Sequence, residues 1–299
     1  MKKIVINLIC IFFTINIFAQ LEAHLINNEG WIKGKYVEIG INSKGVFGAS
    51  KFSKPSSFHE NREFENFLFG FIANPQKDNW VDYDGDFFTP GTPEEGFSIE
   101  INGANYSNNS DTTFGTVEGS VISSQKIESD CFESLAQIQW QGNVDGLGIK
   151  RTFSVTEEGL FIQMITSITN LSGETKKNVF FMHNVDPDNN VSLTGNYSTK
   201  MEIISQPNST SNISLVKATQ ESVGDPNDLD GSAVSFYAND ENARVTFGGF
   251  NNRIASDVWN GVFGLLENTV GSSSTSDIAM SIAFKLGDIL PSETKTFVY

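Results

Sequence analysis

Three loops of this sequence gather acidic side chains at spacings that suit cation binding. Calcium takes about six to eight oxygen ligands at roughly 2.3–2.6 Å, and alternate Asp or Asn residues on a tight turn can supply several of them. The sequence therefore indicates calcium as a candidate cofactor. The candidate metal ligands are Asp82, Asp84 and Asp86 in the first loop, Asp186 and Asp188 in the second, and Asp225, Asn227, Asp228 and Asp230 in the third.

The first loop departs from the calcium-binding pattern of EF-hands. Gly85 precedes Asp86 and comes two positions before the glycine of that pattern, and Pro93 stands where the pattern places a bidentate glutamate. Turns also favour Asp, Asn and Gly in the absence of any metal. Acidic turns that are simply solvated therefore remain the alternative interpretation of all three loops.

Catalytic signatures are sparse. The histidines are His24, His59 and His183, and none stands in a His-Glu-x-x-His spacing. The sequence also lacks a Gly-x-Ser-x-Gly elbow, and Cys131 has no neighbouring nucleophile motif. No catalytic residue is therefore assigned. His183, at a predicted strand end near Asp186, is the one candidate acid or base, and a histidine satisfied within the core is its favoured alternative.

Aromatic residues beside the first acidic loop could bind a ligand. Trp80 and Tyr83 adjoin that loop, and their rings could stack on the C–H faces of a sugar while Asp and Asn bind its hydroxyl groups. These two residues are the candidate ligand-binding side chains. Packing within the core is the alternative, and it is the favoured interpretation for Trp140.

The chain begins as a secretory signal peptide does. Lys2 and Lys3 precede an apolar run that ends at Phe18-Ala19, a charged start and hydrophobic stretch followed by a small-residue cleavage site. We assign residues 1–19 to this signal and residues 20–299 to one mature domain outside the cell or on its outer surface. Cys10 would leave with the signal, so Cys131 could form no disulfide within the mature chain.

The overall charge excludes several partners. The sequence carries a formal charge of −16, and loss of the two N-terminal lysines makes it more negative. No basic cluster offsets this charge, so nucleic acid and anionic lipid would be repelled. After signal cleavage the sequence predicts no membrane insertion, because no later segment is long and apolar enough.

The elements that must position these loops are predicted to be β-strands. Residues 160–170 and 278–286 alternate apolar and polar side chains, which is the pattern of half-buried strands. About a dozen such segments are separated by Gly, Asn, Asp and Pro clusters. We therefore predict an all-β fold, a large antiparallel β-sandwich of the supersandwich kind, with short helical turns at 216–223 and 257–265. The last strand, 294–299, either closes a sheet or belongs to a longer protein, and we favour the second.

Several of these segments resemble a known class of modules. Residues 149–153, 160–170 and 178–188, with the tail 277–296, look like a β-sandwich module of large exported bacterial surface proteins and adhesins. The signal ending in Phe18-Ala19-Gln20 resembles those of Bacteroidetes proteins. This resemblance implies a module of the cell surface.

A fainter resemblance is to the supersandwich of sugar mutarotases. In that family an Asn-rich turn precedes a strand that ends in an acid–base histidine, and residues 170–183 are similar in order. The family's remaining histidine motif is absent here, so the resemblance transfers no catalytic role to His183.

These observations lead to three functional hypotheses. The leading one is a non-catalytic extracellular module, adhesive or carbohydrate-binding and stabilised by calcium, whose partner is a glycan or a surface protein. The second is a carbohydrate-active enzyme, mutarotase-like or lyase-like, with a groove across one sheet. The third is a structural spacer within a larger surface protein.

Overall fold

The computed structural model describes residues 21–299 except 63–66, 82, 110–115, 130–132, 190, 221–231, 251 and 262–265. The predicted signal peptide, Asp82, Cys131 and the third acidic loop, with Asp225, Asn227, Asp228 and Asp230, lie outside the described residues. Within the described part, no helix combines the length and the apolar character needed to cross a bilayer.

Strands dominate the described chain, which confirms the prediction of an all-β protein. Two short helices accompany them, α1 at Val191–Thr194 and α2 at Ala255–Asn260, with one turn of 3₁₀ helix at Lys51–Ser53. The strands are β1 Glu22–Ile26, β2 Glu29–Lys33, β3 Val37–Ile41, β4 Ala49–Ser50, β5 Leu68–Phe69, β6 Phe71–Ala73, β7 Glu95–Ile101, β8 Ala104–Asn109, β9 Glu118–Ile127, β10 Leu135–Val144, β11 Leu147–Thr156, β12 Gln163–Asn170, β13 Lys176–Val185, β14 Thr199–Ser205, β15 Ile213–Gln220, β16 Ala233–Asn239, β17 Ala243–Gly248, β18 Ser273–Ser276, β19 Ala279–Ile289 and β20 Thr294–Val298.

Four sheets of four or five strands form a propeller-like ring, and their paired strands are antiparallel. Sheet I has the order β1-β2-β3-β6 and sheet II the order β20-β12-β11-β10-β9. Sheet III has the order β17-β19-β13-β7-β8, sheet IV the order β16-β15-β14-β18, and β4 pairs with β5 alone. The predicted antiparallel pairing is therefore present, but the strands are divided among four sheets.

Alternation of side chains explains the core between sheets II and III. Along β10, Ile138 and Trp140 are fully buried, whereas their neighbours are partly exposed. Trp140 packs edge-to-face on Phe97 of β7 at a centroid separation of 5.6 Å. Phe297 of β20 stacks on Phe284 of β19 at 4.2 Å. Each such ring removes roughly 150–250 Å² from water, so these contacts are a major source of stability.

Tight turns with left-handed residues join neighbouring strands. Asp145 and Gly146 connect β10 to β11 with φ angles of 44° and 74°. Asn102 and Gly103 connect β7 to β8 with φ angles of 51° and 82°. Two-residue hairpins of this kind match the twist of the flanking strands and favour Asn-Gly or Asp-Gly. The sequence therefore determines these hairpins locally.

Three sequence predictions need correction in detail. The predicted helical turn at 216–223 is strand as far as it is described, because β15 runs to Gln220 and buries Val216 and Ala218 on one face. The predicted strand at 160–170 begins only at Gln163. The second predicted helix, at 257–265, overlaps α2, which ends at Asn260.

Candidate functional site

A cavity of about 710 Å³ lies where the four large sheets meet. Phe71 of sheet I, Met164 of sheet II, His183 of sheet III and Phe236 of sheet IV all line it. Most of the other lining side chains are aromatic or aliphatic. Sites for small organic molecules are usually clefts of about 300–1,000 Å³ with mainly apolar walls, so this cavity has the size and lining of a ligand site.

The cavity has an exposed mouth and a buried floor. Leu160, Phe161 and Tyr237 line the mouth and are exposed, with Phe161 at 59%. His183 and Tyr299 line the floor and are 1% and 8% exposed. Large apolar side chains that remain exposed beside a pocket are typical of a binding surface.

A buried His–Glu pair lies at the floor. The Nε2 atom of His183, on β13, lies 2.5 Å from the Oε1 atom of Glu95, on β7. The second carboxyl oxygen of Glu95 accepts a hydrogen bond from the backbone N–H of Phe47 at 2.7 Å. The adjacent strands β13 and β7 hold this pair in place, because Phe97 of β7 lies opposite His183 in the sheet register.

Burial suppresses the charge of both members of the pair. It raises the pKa of Glu95 to about 8, although the charge of Arg151 and the Phe47 N–H act in the opposite direction. Burial and the charge of Arg151 hold the pKa of His183 well below its usual range. At neutral pH Glu95 is therefore protonated and donates to Nε2 of a neutral His183.

His183 keeps one polar atom without a partner. Nδ1 is buried and makes no hydrogen bond with any described residue. In the neutral tautomer that accepts a proton from Glu95, Nδ1 carries hydrogen and is an unused donor. A buried donor left unpaired destabilises the folded state by about 1–3 kcal/mol. Because His183 lines the cavity, a bound ligand could accept this hydrogen bond, which is consistent with a role of Nδ1 in binding.

Arg151 of β11 lies behind the cavity floor and is 1% exposed. It donates to the Gly45 carbonyl oxygen at 2.5 Å and to the Tyr299 hydroxyl at 3.1 Å. Its guanidinium also lies 4.5 Å from the ring centroid of Phe97. These contacts place a positive charge near the His–Glu pair and fix the ring of Tyr299 in the floor.

The second acidic loop forms a separate cleft of about 370 Å³. Asp186 and Asp188 meet Asp277 there, and one ligand oxygen from each lies within 4.8 Å of the others. Burial, with the negative charge of Asp277, raises the pKa of Asp186 to about 8. Two of the predicted metal ligands are thus brought together, with a third that the sequence did not identify.

Strand pairing explains why these residues converge. Val185 at the end of β13 lies opposite Met280 near the start of β19. The residues that follow β13 and those that precede β19 therefore meet at the same edge of sheet III. Asp277 comes three positions before Met280, which brings it to the turn that carries Asp186 and Asp188.

The described carboxylates of the first acidic loop, Asp84 and Asp86, are buried within the protein. Asp86 is 2% exposed and accepts backbone N–H groups from Gly70, Phe88 and Thr89 at 2.7–3.0 Å. Burial nevertheless raises its pKa to about 6. Among described residues this loop forms no group of three potential metal ligands.

The candidate sugar-binding aromatics contact other protein groups. Trp80 stacks on the His59 ring at 4.1 Å and donates from Nε1 to the Lys35 carbonyl oxygen. Tyr83 is 6% exposed and donates from its hydroxyl to the Glu60 carbonyl oxygen. Tyr83 thus offers little free ring surface, whereas Trp80 is partly exposed.

Sequence reasoning missed Glu95, Arg151 and Asp277. Glu95 is the first residue of β7 and follows a Pro- and Gly-rich segment. In the sequence, nothing distinguishes Arg151 from other basic residues of a strand. The one sequence signal of a buried charge was that Ile149 and Phe153, two positions on either side of Arg151, are apolar. Comparison of the sequence with family models and with curated proteins found no match.

Proposed function

We propose that the mature chain is a non-catalytic binding module of the cell exterior that holds a small apolar molecule in its central cavity. The observation that carries this proposal is the cavity itself, with walls from four sheets and exposed apolar residues at its mouth. Burying such a ligand would contribute roughly 25 cal/mol for each Å² of apolar surface removed from water.

The lining favours an apolar ligand over a glycan in this cavity. Sugar hydroxyls need hydrogen-bonding partners, and a buried hydroxyl without one is destabilising by about 1–3 kcal/mol. Phe71, Phe88, Met164 and Phe236 offer none. An adhesive or carbohydrate-binding role, as the sequence led us to expect, would be supported instead by the partly exposed ring of Trp80.

We also propose that the chain is exported and that its core is sandwich-like. The charged and apolar N-terminal pattern supports export. Two aromatic contacts between sheets II and III, Trp140 on Phe97 and Phe297 on Phe284, support a sandwich-like arrangement at the centre of the ring. Both features agree with the resemblance to exported surface modules.

Binding of the uncharged apolar dye Nile red to the mature chain tests the proposal. We expect saturable binding with one dye per chain, measured by fluorescence titration. Ser235 lies on β16 and lines the cavity, so Ser235→Trp should weaken binding by at least about tenfold, about 1.4 kcal/mol.

Ser273→Trp is the matched control, because Ser273 is an exposed residue of the same sheet outside the cavity lining. Its affinity for the dye should equal that of the wild type. Absence of saturable binding, or equal weakening in both variants, contradicts the proposal. Absence of any ligand would favour the structural spacer.

The His–Glu pair supports a second candidate, the carbohydrate-active enzyme. Such an enzyme needs paired titratable groups at a concave surface, and His183 lines the cavity while hydrogen-bonded to Glu95. Mutarotation or lyase turnover by the wild type that disappears in His183→Phe would establish this candidate. Dye binding without turnover of any sugar would support the non-catalytic module.

A further inference from the structure

We propose that Asp186, Asp188 and Asp277 bind one calcium ion at the edge of sheet III where β13 ends. This site is independent of the cavity proposal, since it lies in the separate acidic cleft. The sequence predicted two of its ligands, and the pairing of β13 with β19 adds the third.

The distances fit a shared ion. One ligand oxygen from each residue lies within 4.8 Å of the others. Two oxygens on opposite sides of a calcium ion are separated by twice the Ca–O distance, which is about 4.6–5.2 Å, and adjacent ligands lie closer. The three carboxylates can therefore coordinate one ion with little movement.

The burial of Asp186 is a second observation that indicates a cation. Asp186 is 8% exposed, and no described residue donates a hydrogen bond to its side chain or forms an ion pair with it. Among the described residues, the charged group that affects it is the negative Asp277. A buried carboxylate is destabilising unless it is paired, and a bound cation would supply the missing partner.

The nearby arginine does not take this role. Arg253 is buried and forms its ion pair with Glu94, which lines the same cleft. Neither Asp186 nor Asp277 forms an ion pair with a described basic residue. These two carboxyl groups thus have no cationic partner among the described residues.

The ligand chemistry favours calcium. All three ligands are carboxylates, which suit hard cations, and no Cys or His belongs to the group. Calcium accepts additional oxygens in flexible geometry, and the cleft of about 370 Å³ has room for water beside Thr92 and Tyr197. Magnesium requires near-ideal octahedral geometry and usually retains several waters.

Calcium titration of the mature chain tests this site. In the wild type we expect calcium at about 100 times its dissociation constant to raise the melting temperature by roughly 5 °C, and chelator to reverse the shift. Terbium should bind in place of calcium and luminesce when the protein's tyrosines are excited, since Tyr197 lines the cleft.

Asp277→Asn and Asp186→Asn should lose most of the melting shift and the terbium signal. Both should remain folded in chelator, because neither substitution removes an ion pair with a described basic residue. The matched control is Asp145→Asn, which removes a charge at the opposite end of β13, where Asp145 pairs with Lys176. It should bind calcium as the wild type does.

Three results would overturn the inference. One is a melting shift below about 1 °C in the wild type. Another is a shift of equal size in Asp277→Asn and the wild type. The third is equal affinity for magnesium and calcium, which would contradict the assignment of calcium. The Nile red titration is carried out in chelator and does not depend on these outcomes, so the two proposals fail separately.

Discussion

His183 and Glu95 form a buried hydrogen bond in which Nε2 and Oε1 lie 2.5 Å apart. Both side chains are almost fully buried, at 1% and 4% exposure. Because burial raises the pKa of Glu95 and lowers that of His183, the proton stays on the carboxyl group. The pair is therefore a neutral unit in the cavity floor.

A neutral pair predicts that Glu95→Gln is nearly harmless. The Gln amide can donate to Nε2 and its carbonyl oxygen can accept from the Phe47 N–H, as Glu95 does now. At pH 4.5, the ordinary pKa of Glu95, we expect a loss of stability below about 1 kcal/mol, against about 3–5 kcal/mol for Glu95→Ala, which leaves both partners unpaired and creates a void. Urea unfolding measures both. Equal losses in the two variants would show that the carboxylate is ionised.

The same pair predicts a pH dependence. The pKa of Glu95 rises from 4.5 to about 8 on folding, so its contribution to stability is complete below pH 4.5. That contribution is lost as the pH rises toward 8, because only the unfolded chain has released the proton. The free energy of unfolding of the wild type, relative to Glu95→Gln, should fall by up to about 1.4 kcal/mol per pH unit in this window.

Urea unfolding of both proteins at pH 5, 6, 7, 8 and 9 gives this difference directly. Above pH 8 it should be constant. His183 acts in the opposite sense, since its lowered pKa destabilises the fold only below its ordinary value. A difference that does not change with pH would contradict the assignment of the proton to Glu95.

Asp86 is predicted to stabilise the first acidic loop without a metal. Its carboxyl oxygens accept backbone N–H groups from Gly70, Phe88 and Thr89. Asp86→Ala leaves these buried donors unpaired, and we expect the free energy of unfolding to fall by about 3–5 kcal/mol. The loss should be the same in calcium and in chelator. A loss seen only in calcium would instead make Asp86 a metal ligand.

Two glycines with positive φ provide a matched test of packing. An added Cβ at Gly45 (φ 75°) would meet the Trp140 ring at 2.5 Å, whereas one at Gly103 (φ 82°) meets nothing within 4 Å. Gly103→Ala should therefore lose only about 1 kcal/mol of stability from backbone strain. Gly45→Ala should lose several kcal/mol, because it also displaces a fully buried indole. Thermal unfolding compares the two, and similar losses would contradict the close packing of Trp140 against Gly45.

The fold class could be predicted because its signals are local. Ile138 and Trp140 alternate with polar neighbours, and Asp145-Gly146 defines its own hairpin. The strand at Val216 was harder to recognise, because its segment contains Ala, Lys and Gln, which favour helices in isolation. Pairing with β14 and β16 overrides that preference.

The candidate sites could be predicted only in part, because they depend on distant pairings. Asp186 and Asp188 are neighbours in sequence, but Asp277 joins them only through the register of β13 with β19. His183 and Glu95 are likewise 88 positions apart. Periodicity within one segment contains no information about such partners.

Strand β13 links the two sites physically. It places His183 in the cavity floor and ends one residue before Asp186, while β19 brings Met280 to the cavity shortly after Asp277. An ion that fixes the ends of these strands should also restrict the cavity wall. Linkage is reciprocal, so any gain in affinity for the apolar ligand when calcium binds should be matched by an equal gain in affinity for calcium when that ligand binds.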